Sequence, residues 1–344
     1  MLSQEEVEAI DVSGLYKDYE EWPRHCGEAA KLPVETPDIA QINHIIYVGM
    51  GGSAASGDLL RDWLTPVINL PFTIVKDYNL PSSAGKNTLV IAVSCSGDTE
   101  ETLSAANQAY ERGCRIAAVS SGGRLEQFCR KNSIPFTKTK KLRVPRSSLP
   151  NLFYPAANIL KETGLLKTVA NQIPISVSTV KQLYSKVRAD NSTGNPAKEL
   201  AAKMADTLPM IYCSALNEGA TNRFRASLNE NAKIQAHVAV IPELCHNEVE
   251  GWTKRTPRVC LPVYIRSKEE LPENAARFEA VKEMIEVAGF KVHEVWESGE
   301  NSLSRIMRLV YLLDYTSIYT AVLRRTNPIG TPNIDAMKRR LRGG

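Results

Sequence analysis

No C-x-x-C pair occurs among the seven cysteines, at 26, 95, 114, 129, 213, 245 and 260. Their number is odd, and several lie in apolar runs such as MIYCSA and RVCLPVYI. They read as buried thiols of a reducing compartment rather than as a disulfide framework. The chain also lacks a concentrated basic face. Forty-two Lys and Arg against 38 Asp and Glu leave a formal charge of only +4, scattered except at the extreme C-terminus, which argues against a dedicated nucleic-acid binder. The opening residues MLSQEEVEAIDVSG are acidic and have no apolar stretch of the kind a secretory leader needs. The longest apolar-rich stretch, 309–323, is interrupted by Asp314 and is shorter than a bilayer crossing requires. A soluble, cytoplasmic protein is expected. The five histidines, at 25, 44, 237, 246 and 293, show no H-x-x-x-H or clustered ligand spacing, so no metal site is expected. His237, inside a strand-like run, reads as a packed core histidine.

What is present is an ordinary globular composition, 43% hydrophobic and 23% charged over 344 residues, long enough for two domains with substantial cores. Short continuous apolar runs alternate with helical patterns. HIIYVGM (44–50), PFTIVKDY (71–78), TLVIAVS (88–94) and RIAAVSS (115–121) read as strands, with helices near 53–63, 98–112 and 123–132, and another at 150–163. After the polar stretch 188–207 the program restarts. LPMIYCSA (208–215), HVAVIPEL (237–244), RVCLPVYIR (258–266) and FKVHEVW (290–296) read as strands. Helices are expected over 217–236, 272–288 and 302–325, the last with apolar residues at 303, 306, 307, 310 and 313 in helical spacing. Continuous apolar strands each followed by a helix imply parallel sheets covered on both faces. The expected fold is therefore α/β, with two parallel-sheet domains.

Two loops stand out. GMGGSAASGD (49–58) and SCSGDTEETL (94–103) each follow a strand, are rich in glycine and hydroxyl residues, and contain no lysine or arginine. In open parallel sheets ligands bind beyond the carboxyl ends of the strands. Glycines there turn backbone N–H groups toward a ligand, the following helix favours an anion, and Ser53, Ser94, Ser96 and Thr99 each supply a hydroxyl. A phosphate held in this way needs no cation. The plainer reading is that Asp98 and Thr99 cap a helix, with Glu101 as the capping-box partner of Asp98; the two readings are compatible. No acidic residue ends a second strand at the distance a dinucleotide fingerprint requires, so NAD is not expected.

The S-x-S-G-x-T-E-E-T loop resembles the phosphosugar loop of sugar isomerase (SIS) domains. GMGGS, SCSGDTEETL, VPRSSLPNLFYP, SLNENAKIQA and ELCHNEVEGW also occur in the order seen in the archaeal bifunctional phosphoglucose/phosphomannose isomerases, a resemblance that covers most of the chain. It implies two SIS-type, flavodoxin-like domains plus a C-terminal helical segment. The expected division is 1–150, a helical linker 151–207, 208–325, and a tail 326–344 that contributes to the site. It implies reversible aldose–ketose isomerisation of glucose 6-phosphate and mannose 6-phosphate with fructose 6-phosphate through a cis-enediol, without cofactor or metal.

By the same resemblance Glu230 moves the proton between C1 and C2, and Arg146 stabilises the enediolate. His246 and Lys338 assist ring opening, and Thr331 leaves room for the C2 epimer. Gly51, Gly52, Ser53, Ser94, Ser96 and Thr99 bind substrate, while Glu248 orients a neighbour. In related isomerases the equivalent histidine comes from the neighbouring subunit, so a homodimer with a shared site is implied. Asp98 stands where the family usually has asparagine, and Cys95 where an aromatic residue is commoner; the Asp98 carboxylate should cap a helix and point away from the phosphate. A phosphosugar sensor without chemistry, and an isomerase for an amino sugar or pentose phosphate, are the alternatives.

Overall fold

A computed structural model of the chain describes residues 2–342. Met1, Gly343 and Gly344, at the ends of the expected first and last segments, lie outside the described residues. The chain opens with three short helices, α1 (Gln4–Ile10), α2 (Leu15–Glu20) and α3 (Trp22–Ala29). A Ser3/Glu6 capping box starts α1. Then come β1 (His44–Val48), α4 (Gly52–Leu64), β2 (Phe72–Val75), β3 (Thr88–Ser94), α5 (Glu100–Glu111), β4 (Arg115–Ser120), α6 (Gly123–Lys131) and β5 (Phe136–Lys138). Three helices follow, α7 (Leu149–Glu162), α8 (Gln172–Val187) and α9 (Pro196–Met204). The second α/β run comprises β6 (Leu208–Ser214), α10 (Glu218–Ser227), β7 (His237–Ile241), β8 (Cys260–Arg266), α11 (Pro272–Val287) and β9 (His293–Trp296). The chain then enters α12 (Ser302–Leu323) and α13 (Pro332–Arg342).

Both sheets are parallel throughout. The first has the order β2-β1-β3-β4-β5 and the second β7-β6-β8-β9. In each, chain order reverses at the first strand, so the switch points lie between β1 and β3 and between β6 and β8, where open α/β sheets take ligands. Alternation along the strands divides the core. Ile45 and Tyr47 of β1 join Leu89 and Ile91 of β3 and Ile211 and Val263 of the second sheet in one cluster through α7 and α12. Ile46, Val48 and Val90 point the other way, toward Ala105 and Ala109 of α5. One shared core therefore fixes the two sheets to each other.

Several expectations are corrected. The helix expected over 217–236 ends at Ser227; a π-helical turn, Leu228–Ala232, follows and stops at Lys233 in left-handed backbone. Within the expected helical linker, the polar stretch 188–207 contains α9, because the buried Asn195 accepts from the N–H groups of Ala197 and Lys198 and Pro196 fits the first turn. The apolar stretch called too short for a bilayer belongs to the 22-residue α12, which has the length and composition to cross one, yet 83% of its apolar window is buried in the protein. Inside it, Asp314 pairs with the buried Arg223 at 2.6 Å. His237 is no core residue. It lies exposed on β7, an edge strand, and bonds Glu248 at 2.8 Å. All seven cysteines are free, but only Cys26, Cys129 and Cys213 are buried.

Candidate active site

The loops after β1 and β3 meet at the first switch point. Gly51 turns the chain into α4 with φ 52°, and a side chain at Gly52 would press on the Pro145 carbonyl at 3.2 Å. The glycine turn thus lies against the segment carrying Arg146. Ser53 is buried and its Oγ accepts from the Cys95 N–H at 3.1 Å, joining the two loops. The loop after β3 is tight: Gly97 has φ 80°, and a Cβ there would fall 1.7 Å from the Gly122 carbonyl.

The hydroxyls are arranged as acceptors from the backbone. Ser94 Oγ takes the Gly97 N–H at 3.0 Å and shares a 2.9 Å hydrogen bond with Thr99 Oγ1, and Ser96 Oγ takes the Asp98 N–H at 3.1 Å. A serine or threonine hydroxyl has one proton to give. With Ser94 donating to Thr99, the hydroxyl protons of Ser53, Ser96 and Thr99 remain for a ligand. Thr99 is the N-cap residue of α5 but makes no side-chain cap, so the first-turn N–H groups of that helix are open to an anion.

The capping-box expectation for Asp98 and Glu101 is therefore corrected. Asp98 Oδ1 instead accepts from the Arg124 N–H at 3.0 Å in the first turn of α6, and the Arg124 guanidinium bonds the Asp98 carbonyl at 2.8 Å. The carboxylate caps the neighbouring helix rather than its own, and its charge faces Arg124.

Beyond the glycine turn, a short turn at Pro145–Ser148 holds Arg146, which is buried. Its Nε donates to Asn231 Oδ1 at 2.7 Å, and Nη2 donates to the carbonyls of Pro328 and Ile329, both at 2.8 Å. Nη1 donates to Glu230 Oε2 at 3.3 Å. A guanidinium has five N–H donors, so one hydrogen on Nη1 is left over beside Glu230. The main chain here is fixed from behind, because the buried Arg223 donates to the Arg146 carbonyl at 2.8 Å while pairing with Asp314. Burial pushes the Asp314 carboxyl up, and Arg223 beside it pulls it down.

Glu230 sits in the π-helical turn, a local widening frequent at functional sites. It lines a cavity of about 310 Å³ with Asn229, Lys233, Thr331 and Asn333. Ser53, Arg146, Glu230 and Thr331 thus form a connected series running from the glycine and hydroxyl loops to the start of α13. His246 and Lys338 are not drawn into it. His246 is exposed beyond β7, and Lys338 is exposed on α13. The segment bearing His246 is nonetheless anchored, since Glu248 accepts from the Tyr212 hydroxyl at 2.5 Å and bonds His237, and Tyr212 accepts from Trp252 Nε1 at 2.7 Å.

The second switch point differs. Asp62 of α4 accepts the Gly219 N–H at 2.6 Å and so fills the first turn of α10, and the buried Glu297 carboxylate pairs with Arg305 at 3.2 Å nearby. Internal carboxylates stand where the first sheet is open. Two site features escaped the sequence reading: Asn231, whose amide looks like any helix asparagine, and Lys233, whose backbone conformation leaves no trace in the residue pattern.

Fold and loops together define a protein of the SIS class. Residues 38–130 match the SIS domain family, and residues 193–341 match the family described as bacterial phospho-glucose isomerase C-terminal SIS domain. The chain is 33% identical over 321 residues to a bifunctional phosphoglucose/phosphomannose isomerase of Caldicellulosiruptor bescii, covering 92% of this chain and 93% of that one. It is 28% identical to a protein of the same name from Aquifex aeolicus, covering 98% and 99%. A D-glucosamine-6-phosphate 4-epimerase of Sulfolobus acidocaldarius is 28% identical over 72% of this chain and 76% of its own. Among solved structures, the C-terminal domain of a glucosamine-fructose-6-phosphate aminotransferase from Francisella tularensis superposes with TM-score 0.73 at 15% identity, covering 91% and 97%. The chain belongs to the bifunctional phosphoglucose/phosphomannose isomerase family.

Proposed function

We propose that the protein interconverts glucose 6-phosphate and mannose 6-phosphate with fructose 6-phosphate. The observation that carries this reading is the Arg146–Glu230 pair, 3.3 Å apart and connected to an uncapped cradle of amides and hydroxyls at the first switch point. In this reading the phosphate rests on the first turn of α5 and on the hydroxyls of Ser53, Ser96 and Thr99, with Ser94 orienting Thr99 from behind and Gly51 and Gly52 letting the backbone approach.

Glu230 removes the proton from C2 of the open-chain aldose. The C2–H electron pair forms the C1=C2 bond, and the carbonyl oxygen becomes an enediolate oxygen held by the spare Arg146 N–H. After a proton passes from O2 to O1, Glu230 returns its proton to C1 and the ketose is formed. One carboxylate delivers to both carbons from one side, so the enediolate must turn to present its other face; protonation of C2 on one face yields glucose and on the other mannose, and Thr331 in the cavity wall gives the turned epimer room.

His246 and Lys338 open the ring. The exposed His246 and the unpaired edge of β7 fit a homodimer in which His246 serves the partner's site. Residues 1–150 and 208–325 act as the two domains, 151–207 links them, and 326–344 completes the site. The reaction takes place in the cytoplasm and requires neither cofactor nor metal.

The similarity to an amino-sugar epimerase favours one other reading, a site acting on an amino sugar phosphate. Coupled assays of the purified protein on glucose 6-phosphate, mannose 6-phosphate and glucosamine 6-phosphate separate the two. Turnover of the first two supports the proposal. Turnover of the third alone, or binding without turnover, overturns it.

A further inference from the structure

Lys233 closes the turn that carries Glu230. With φ 56° it is one of four non-glycine residues in left-handed backbone among the described residues. A Cβ disfavours that conformation, and glycine or asparagine is the usual occupant at a helix end. A lysine held there against backbone preference directs attention to its side chain. Lys233 is exposed, yet its side chain folds back onto the main chain. Its Nζ lies 2.5 Å from the Glu230 carbonyl, 3.3 Å from those of Asn231 and Asn327, and 3.4 Å from that of Pro328. Its partners are carbonyls of two separate segments, not carboxylates.

From the other side, Arg146 Nη2 holds the carbonyls of Pro328 and Ile329. Two cations thus grip three consecutive carbonyls, 327–329, in the connector between α12 and α13. That connector leads directly to Gly330 and Thr331, which line the same cavity as Glu230 and Lys233. Removing either cation leaves the connector with half its anchors and lets the cavity wall move against the Glu230 carboxylate.

We propose that Lys233 is a positioning residue whose ammonium locks the Glu230 turn to the Asn327–Ile329 connector, thereby fixing Thr331 and the start of α13 against the proton-transferring carboxylate. The proposal rests on the isomerase reading above. It also has a pH signature. Two charged groups face the ammonium, Arg146 from the turn before α7 and Glu230 from its own turn; the connector offers only carbonyls. Burial, with Arg146 adding to it and Glu230 opposing, pulls the Lys233 ammonium down to about 8. It is therefore charged at neutral pH and, as pH rises through 8, loses its proton and the charge that strengthens its bonds to these carbonyls. Activity should fall on that alkaline limb.

The test compares the full-length wild type with Lys233→Met, Lys233→Gly and Lys233→Arg. Lys233→Gly relieves the backbone but removes the ammonium, so both it and Lys233→Met should lower kcat by about 10- to 100-fold. Lys233→Arg keeps a charge that does not titrate; it should retain most of the activity and move the alkaline limb up by about one pH unit or more. Amide hydrogen exchange across residues 327–342, read without substrate, should quicken in Lys233→Met. Wild-type kcat in Lys233→Gly, or an alkaline limb that stays put in Lys233→Arg, overturns the proposal. If Lys233→Met does not fold, Lys233→Arg and the wild-type profile still decide it. A wild type that turns over no sugar phosphate defeats the isomerase reading instead, and the exchange comparison still tests the lock.

Discussion

Replacing Asn231 with leucine tests whether the Arg146 guanidinium acts by its placement. Asn231 is fully buried; its Oδ1 accepts from Arg146 Nε at 2.7 Å and its Nδ2 donates to Ser317 Oγ at 2.8 Å. Leucine keeps the branched shape, with bulkier ends, but accepts nothing, so a hydrogen bond to a charged group is lost and a buried N–H goes unpaired. That costs about 1.5–3 kcal/mol, and the short separation argues for the upper part of the range. Ser317 adds little, since its hydroxyl still donates to the Asp314 carbonyl at 2.6 Å. With Nη2 still tied to two carbonyls, the guanidinium pivots about that atom, and the nearest remaining acceptor is Glu230 Oε2, 3.3 Å from Nη1. The pivot neutralises the base and misaligns the cation by about 1 Å, a displacement that costs up to about 100-fold in rate. Steady-state assays should show kcat lowered by about 10- to 100-fold. KM should change little, because the phosphate cradle lies elsewhere, and urea unfolding should report the loss in stability. A variant destabilised as expected that keeps full kcat refutes the reasoning.

Two further predictions concern the loops and the domain contact. Gly97→Ala places a Cβ 1.7 Å from the Gly122 carbonyl at φ 80°; it should destabilise the protein by about 3 kcal/mol or more and raise KM for phosphosugars, and an unchanged melting temperature and KM would contradict this. Burial pushes the Asp62 carboxyl up to about 6, with Arg61 and the Gly219 N–H opposing. A carboxyl raised in the folded state contributes stability that is full below about pH 4, the ordinary carboxylate range, and is lost as pH rises through 6. Asp62→Asn keeps an acceptor for Gly219 and removes that titration, so melting temperature against pH should be flatter between about 4 and 6; superimposable profiles would count against it.

Much of the first half was legible in the residues because the signals there are local. TLVIAVS is apolar at its five central positions and all seven residues of β3 are buried, and the glycines and hydroxyls that follow it report a tight turn wherever they occur. The features that escaped depend on tertiary partners. Asp98 caps α6 instead of α5 because Gly97 and Gly122 bring two loops into contact, which no pattern around residue 98 records. His237 reads as core by its apolar neighbours, yet it stands at a sheet edge, and edge position depends on strand order. The N-terminal helices are too short for periodicity to show, though Tyr19 and Trp22 are fully buried. The turn at Leu228–Ala232 carries the same residues an α-helix would, so the widening that presents Glu230 comes from packing against α12 and from Lys233, not from propensity.

The account rests on Glu230 as the group that moves the proton. The most direct measurement is Glu230→Gln in the full-length protein, with glucose 6-phosphate deuterated at C2, following isomerisation and loss of the label to solvent alongside binding of the sugar phosphate. The account predicts that turnover and label exchange both fall by about 100-fold or more while binding is retained. Turnover near that of the wild type would contradict it.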